Sequence, residues 1–337
     1  MNFQQTIQIY TQLGAFFKHH ATQDEPVFRQ AYLHNNWFTD EYVKKAVFAW
    51  GNELTETKLN TWLTPYQTFT EPLPKRVAII MAGNIPLVGL HDLLAVLACG
   101  HTAVVKLSSD DTHLMKWIIN ALITIAPQFE SRIEVTEERL PKNFDAVIAT
   151  GSNNTYRYFE HYFKGKPSLL RKSRTSLAVL TGNETPDDLV KLGEDIFTYF
   201  GLGCRNVSKI FVPQGYDLAT FYEGIEGFAE HINHHKYANN YTYHKAILLM
   251  NLTKHLDNNF LLIKEDENLA SPLGVLNYQF YNNLTEVTDF VAKHADEIQC
   301  VVSKQAMPNS VPLGKAQQPE LADYADGVDT VKFLLAL

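Results

Sequence analysis

Up to about residue 70, apolar side chains recur at helical spacing, as at Val43, Ala46, Val47 and Trp50, which predicts a helical segment. Phe38-Thr39-Asp40-Glu41 marks one helix start. Thr39 can cap, Asp40 and Glu41 suit the positive end of the dipole, and Phe38 can staple onto Val43. The aromatic stripe in this segment reads as packing. Pro72, Pro74 and Lys75 then break the pattern. RVAIIMAG (76–83) is an unbroken apolar run, as expected of a strand buried on both faces of a parallel sheet. Gly83-Asn84-Ile85-Pro86 turns into a helix, PLVGLHDLLAVLACG, with Pro86 in its first turn and Gly100 at its C-cap. HTAVVKLS (101–108) is the next strand. Asp110-Asp111 opens a helix through Trp117 and Ile125, and RIEVTEE and FDAVIATG (144–151) supply two more strands. Strand and helix alternate, which predicts a doubly wound α/β domain with a parallel-rich sheet.

The alternation continues. SLLRKSRTSLAVLTGNE (168–184) holds a basic cluster of Arg171, Lys172 and Arg174, then a strand. The helix TPDDLVKLGEDIFTYFG leads into Cys204 and the strand VSKIFVP. A helix over 217–232, a His/Asn-rich segment (HINHHKYANNYTYH, 231–244) and a helix over 242–251 follow. FLLIKED, SPLGVLNYQFY, the helix LTEVTDFVAKHADEI and the strand QCVVSK complete a second α/β domain, and the chain closes on FLLAL, read as a strand. The expected division is a helical segment (1–74), a dinucleotide-binding domain (75–183), a domain carrying Cys204 (184–312) and a C-terminal segment (313–337).

Composition narrows the function classes. The 337 residues suffice for two domains. With 45% hydrophobic and 20% charged residues and a mean hydropathy of -0.18, the chain reads as globular rather than disordered. A net charge of -8 speaks against nucleic acid, which calls for a basic footprint. The 3 cysteines, Cys99, Cys204 and Cys300, have no paired spacing. That fits a reducing cytoplasm and gives no zinc pattern. No run is apolar enough to span a membrane.

The chemistry concentrates at strand ends. In doubly wound sheets ligands bind at the carboxyl ends of strands, and three such ends carry Gly83-Asn84, Lys106-Leu107-Ser108 and Gly151-Ser152. No G-x-G-x-x-G follows any strand; a phosphate would instead meet Gly151-Ser152 and the helix N-terminus behind them. Cys204 sits directly behind the Gly201-Leu202-Gly203 turn, with Arg205 next in sequence. A thiolate is the reactive form, and a neighbouring cation favours it. Cys99 and Cys300 fall in apolar runs and read as core. His231, His234, His235 and His244 lack the spacing of metal ligands. His244 is the candidate proton donor, because an imidazole titrates near neutrality. Arg171, Lys172 and Arg174 form either a phosphate-attracting cluster or a solvated basic turn.

Five segments in order resemble the aldehyde dehydrogenase superfamily, and within it the LuxC-type acyl-CoA reductases, over about residues 75–335. AGNIPLVGLHDLLAVLACGHTAVVKLSSDD resembles the Asn-aromatic-Pro-Leu segment and the "vVvK-pS" segment. ATGSN resembles "f-TGS", and GLGCRNVSKIFVP the "GQ-C" nucleophile segment. ASPLGVLNYQFYNNLTEVTDFV resembles "iFGPVl", and DGVDTVKFLLAL the closing strand.

The resemblance implies an aldehyde-dehydrogenase-like fold and reduction of a fatty acyl-CoA, or acyl-carrier thioester, to the aldehyde with NADPH. Cys204 would take the acyl group. Asn84 and the Cys204 N–H would form the oxyanion hole, and Lys106 and Ser108 would hold the adenine ribose and its phosphate. Gly151 and Ser152 would line the dinucleotide, and Glu267 or Asn268 would meet the nicotinamide ribose. The glutamate that activates a hydrolytic water in acid-forming relatives falls on Val179, with Glu184 nearby as a substitute. The resemblance also admits a homodimer and a partner protein that takes the aldehyde or the acyl group. Two other readings stay open: an aldehyde dehydrogenase working oxidatively, and a catalytically silent relative that binds acyl-CoA or partner proteins.

Overall fold

The computed structural model describes residues 3–67, 73–308 and 310–337; Pro72, one of the expected break residues, lies outside them. The chain forms two compact units, Met1–Ser173 with Glu320–Leu337, and Arg174–Pro319.

In the first unit the amphipathic stretches become α1 (Phe3–His20), α2 (Pro26–His34), α3 (Asp40–Glu53) and α4 (Glu56–Leu63). Thr39 caps α3 as expected, its hydroxyl accepting from Tyr42 N at 3.3 Å, and Phe38 and Val43 are both fully buried. Then follow β1 (Arg76–Ile80), α5 (Leu90–Ala98), β2 (Thr102–Lys106), α6 (Thr112–Ile125), β3 (Ile133–Thr136), β4 (Ala146–Thr150), α7 (Asn153–Tyr162) and β5 (Ser168–Arg171). The sheet has the order β3-β2-β1-β4-β5 and is parallel throughout. Both faces are covered, which is why the strands carry no polar alternation. Val77 and Ile79 pack with residues of α1, α5 and α6, while Ala78, Val147 and Ala149 pack with Phe144 and Phe163 on the other face.

The helix after β1 starts later than its sequence suggests. Residues 84–89 form a turn ahead of α5, so Pro86 precedes the helix instead of opening it. Leu87 sits in the turn at φ 60°, and its N–H donates to Asp111 Oδ2 at 2.7 Å. That tertiary hydrogen bond holds a conformation α5 could not contain. Gly100, at φ 85°, closes α5 as expected of a left-handed C-terminal glycine.

The second unit comprises β6 (Thr175–Val179), α8 (Pro186–Phe197), β7 (Val207–Pro213), α9 (Leu218–Gly224), α10 (His235–Met250), β8 (Leu256–Asp257), β9 (Leu262–Glu265), β10 (Val275–Tyr281), α11 (Leu284–Lys293), β11 (Ile298–Ser303) and β12 (Ser310–Val311). Its sheet runs β12-β11-β6-β7-β10-β9-β8, with only β8 antiparallel to its neighbour. Thr185 and Asp188 form a reciprocal capping box at α8. The helix expected over 217–232 is α9 followed by a 3₁₀ turn, Glu226–Asn233, and the next helix starts at His235 rather than 242. β6 pairs with β7 and β11, so the unit boundary falls at residue 173, ahead of the expected 183.

The closing segment returns to the first unit as a helix, α12 (Thr330–Leu335), not the expected strand. A short apolar run such as FLLAL does not distinguish the two by periodicity. Asp329 decides it by capping, accepting from Lys332 N at 2.8 Å. Val331 and Leu334 are then buried against the first unit's core. Leu334 O receives a bond from His101 Nε2 at 2.9 Å, and Thr330 Oγ1 accepts from Arg171 at 3.0 Å. Arg171 also pairs with Asp92 on α5 at 2.6 Å, both buried. Arg174 donates to Ala295 O and Ile298 O at 3.2 and 3.1 Å. Both arginines therefore serve the fold, not a phosphate or a solvated turn. No helix among the described residues is long and apolar enough to cross a membrane.

Candidate active site

In the first unit, β2, β1 and β4 are adjacent, so the three singled-out strand ends lie side by side. Past β1, Gly83 packs directly on Ser108: a Cβ at Gly83 would lie 2.3 Å from Ser108 Oγ. The Asn84 turn and the Lys106–Ser108 segment are thereby brought together. Lys106, the last residue of β2, is half-exposed. Its ammonium makes no hydrogen bond or ion pair with another described residue, so it is free to meet an anion. Ser108 Oγ accepts from Asp110 N at 3.3 Å, which is a cap for the short helical turn Ser109–Asp111. Past β4, a Cβ at Gly151 would lie 3.0 Å from Thr155 Cβ and 3.1 Å from the Phe159 ring. Glycine is what lets α7 close onto the strand end. Ser152 is exposed and caps α7, accepting from Thr155 N at 3.2 Å.

In the second unit, Cys204 lies on a turn held under backbone strain. Tyr199, Phe200 and Gly201 have successive φ values of 55°, 56° and 82°. Left-handed backbone is unfavourable for the two aromatic residues, and burial of their rings offsets it. The Phe200 ring lies 4.3 Å from His234 and 5.5 Å from His231, so these histidines pack on the turn. Asn206, buried, fastens the turn from the other side. Its Oδ1 accepts from Gly203 N at 2.8 Å. Its Nδ2 reaches the carbonyls of Asp195, Ile196 and Thr198 at 3.2, 3.1 and 2.8 Å, which are end-of-helix acceptors in need of donors. Cys204 O accepts from Ser176 Oγ at 3.1 Å. Cys204 is half-buried, whereas Cys99 and Cys300 are buried, as expected. Burial pushes the Cys99 thiol up to about 12 and the Cys300 thiol upward. The Arg205 guanidinium interacts with the Cys300 thiol.

Asn206 is the residue that the sequence reading missed. Its signal was a polar side chain between a glycine turn and a β-branched strand. Asn206→Ala leaves a buried N–H and three helix-end carbonyls short of partners. The expected loss is about 2–4 kcal/mol in urea unfolding, together with a changed rate of Cys204 alkylation by a thiol reagent.

Strand register places Val179 in the sheet. Ser176 pairs with Val207 and Val179 with Phe211, so Val179 ends β6 at the carboxyl edge while Cys204 precedes the amino end of β7. Val179 is a core residue there. Glu184 accepts from Thr181 N, Thr181 Oγ1 and Gly182 N at 2.8, 2.8 and 3.0 Å, capping its own turn. Glu184, the other candidate for the hydrolytic base, is thus engaged in its own turn. Lys264, Asn277 and Lys209 share one level of the sheet. Glu267, expected at the nicotinamide ribose, is exposed just beyond the end of β9, between Asp266 and Asn268, whose carbonyls accept from the Lys209 ammonium. Leu273 approaches the Cys204 turn, its Cδ2 3.4 Å from where a Cβ on Gly201 would sit.

Between Glu267 and Leu273 the chain doubles back under tight control. Asn277 Nδ2 donates to Asn268 O and Ala270 O at 3.0 and 3.2 Å, Ser208 Oγ to Leu269 O at 2.9 Å, and Lys209 Nζ to Asp266 O at 2.5 Å. Lys209 is wholly buried and lies over the rings of Phe211 and Phe290. Burial brings its ammonium down to about 8. In the unfolded chain it titrates near about 10.4. Between about pH 8 and pH 10 the unfolded chain thus binds a proton that the folded chain has lost, and stability rises with pH. Relative to Lys209→Met, the wild type should gain about 1–3 kcal/mol across that window in urea unfolding. A flat difference would contradict the burial of a charged amine.

His244 lies on α10, half-buried, and its ring nitrogens make no hydrogen bond with another described residue. Burial and the Lys264 charge push its pKa down, so it is neutral at pH 7 and donates only as an imidazole N–H.

The fold recurs in solved structures. Aldehyde dehydrogenase 21 from Physcomitrella patens, in complex with succinate, superposes with a TM-score of 0.72 at 11% identity, covering 100% of this chain and 84% of its own. A mutant of aldehyde dehydrogenase C from Pseudomonas syringae, in complex with NAD+ and octanal, gives 0.67 at 11% identity, covering 91% and 73%. NADP-dependent glyceraldehyde-3-phosphate dehydrogenase from Bacillus halodurans C-125, with NADP, gives 0.63 at 14% identity, covering 90% and 74%. At such identities the likeness shows the fold alone. No curated protein sequence matches this chain. The acyl-CoA reductase (LuxC) family model matches residues 17–241, more than half of the chain and including Asn84, Lys106, Gly151 and Cys204. The chain therefore belongs to the LuxC family of acyl-CoA reductases and has the aldehyde dehydrogenase fold.

Proposed function

We propose that the protein reduces a fatty acyl thioester, carried on CoA or on an acyl carrier, to the aldehyde with NADPH in the cytoplasm, through an acyl-enzyme on Cys204. The observation that carries this reading is the half-exposed Cys204 on a turn fixed by Asn206, in a chain of the acyl-CoA reductase family.

Cys204 Sγ attacks the thioester carbonyl carbon, a C–S bond forms, and the bond to the departing thiol breaks as that sulfur takes a proton. A soft nucleophile suits an exchange between two thioesters. The carbonyl oxygen carries negative charge in this step and again when the acyl-enzyme is reduced. The family resemblance assigns the Asn84 amide and the Cys204 N–H to that oxygen; such donors typically contribute about 10²–10³ in rate each. NADPH, when bound, supplies the hydride. Lys106 fits an anionic cofactor group, because its ammonium, at the end of β2 and two residues before Ser108, makes no hydrogen bond or ion pair with another described residue. Gly151 fits as well, because it admits close backbone approach at the neighbouring strand end.

Incubation with a long-chain acyl-CoA but no nucleotide should add the mass of the acyl group to the Cys204 peptide, and NADPH should then discharge it as aldehyde. Acid formation from aldehyde and NAD(P)+ without that adduct would instead establish an oxidative dehydrogenase. Nucleotide binding with neither reaction would establish a silent relative.

A further inference from the structure

Asp111 is a buried carboxyl group to which neither acyl transfer nor cofactor binding assigns a task. It is 2% exposed, and its Oδ2 accepts from Leu87 N at 2.7 Å. Leu87 is itself fully buried and sits at φ 60°, a backbone that a leucine avoids unless its surroundings impose it. The turn is fixed at its other end too. Gly83 packs against Ser108 Oγ so closely that a Cβ would not fit, and Leu90 N closes the turn onto Leu87 O at 3.1 Å. Asn84 thus lies between two anchored points, one made by Ser108 and the other by the Asp111 side chain. We propose that Asp111 is a positioning residue for Asn84: by accepting the Leu87 N–H it sets the 84–87 turn that presents the Asn84 amide to the thioester oxygen.

This rests on the reading of Asn84 as an oxyanion donor. Burial raises the Asp111 carboxyl well above the usual carboxylate range, with Asp110 adding to it. The task is acceptance at one oxygen, which a neutral acid or an amide performs equally well. Asp111→Asn should therefore keep the turn, and Asp111→Ala should lose it. A donor displaced by about an ångström loses much of its effect on rate.

The test is steady-state kinetics with a long-chain acyl-CoA and NADPH on D111A, D111N, N84A and the D111A/N84A double variant. D111A should lower kcat by about 10–100-fold with KM changed less than about threefold. D111N should stay within about twofold of wild type, and D111A should have no further effect in the N84A background. An equal D111A effect with and without Asn84 would overturn the proposal, as would D111N behaving like D111A, because Asp111 would then act elsewhere or as a charge. If N84A retains full kcat, the oxyanion reading fails, and this proposal with it. If D111A does not fold, D111E replaces it. An acceptor one methylene longer displaces Leu87 N, and full kcat in D111E would equally overturn the proposal.

Discussion

Cys204→Ala should lower aldehyde formation from a long-chain acyl-CoA by about 10⁴-fold or more, the scale on which loss of a covalent nucleophile is measured. It should also abolish acylation of the 200–213 peptide. The substitution removes one partly exposed sulfur and leaves the turn intact, because the bonds holding it come from Asn206 side-chain atoms and the Cys204 carbonyl. Thermal unfolding and NADPH affinity should accordingly stay near wild type. Cys204→Ser should be nearly as inactive, since a hydroxyl is a far weaker nucleophile than a thiolate near neutral pH. Unchanged turnover in Cys204→Ala would sink the acyl-enzyme mechanism. The other two thiols offer no rescue, being buried and held in the thiol form.

Arg171→Ala should destabilise the protein by about 3–5 kcal/mol, as expected when one member of a buried ion pair is removed. The guanidinium is shared between Asp92 Oδ2 at 2.6 Å and Thr330 Oγ1 at 3.0 Å. Asp92 Oδ1 and Arg171 Nε already lack partners, so no spare donor is at hand for the stranded carboxylate. The apolar double variant Arg171→Met with Asp92→Leu should cost much less, since it removes both charges and keeps the volume. Urea midpoints of the two variants decide the matter; a loss below about 1 kcal/mol in Arg171→Ala would show that the pair is solvated in a way its burial denies.

The elements that the sequence made legible are those whose burial is two-sided or whose caps are local. RVAII, TAVVK and AVIAT announce parallel strands because both faces lose their polar alternation. Thr39 and the turn glycine Gly100 work within a few residues of themselves. What stayed hidden depends on distant partners. Leu87 needs Asp111 to hold its backbone, so the start of α5 is not written in its own segment. Arg171 looks like part of a basic turn until Asp92 and Thr330 are placed against it. The same holds at the site. Cys204, Asn84, Lys106 and Gly151 sit at turns and strand ends that residue types and order reveal. The level of a residue in a parallel sheet is likewise not written in its own segment: only the register of β6 against β7 sets Val179 opposite Phe211.

The first unit draws on residues at both ends of the chain, with α12 docked through His101, Arg171 and the core around Leu334. On the ribosome this imposes an order. Residues 174–319 are contiguous and can complete their sheet once they emerge. The unit that begins first cannot finish until residue 334 has been made. Until then Thr330 is missing from Arg171, Tyr324 from Trp62, and Asp329 from Tyr66, and the surface destined for α12 stands open. The first unit thus keeps apolar surface exposed longer during synthesis than the contiguous second unit does, the condition under which a folding chain is most prone to associate.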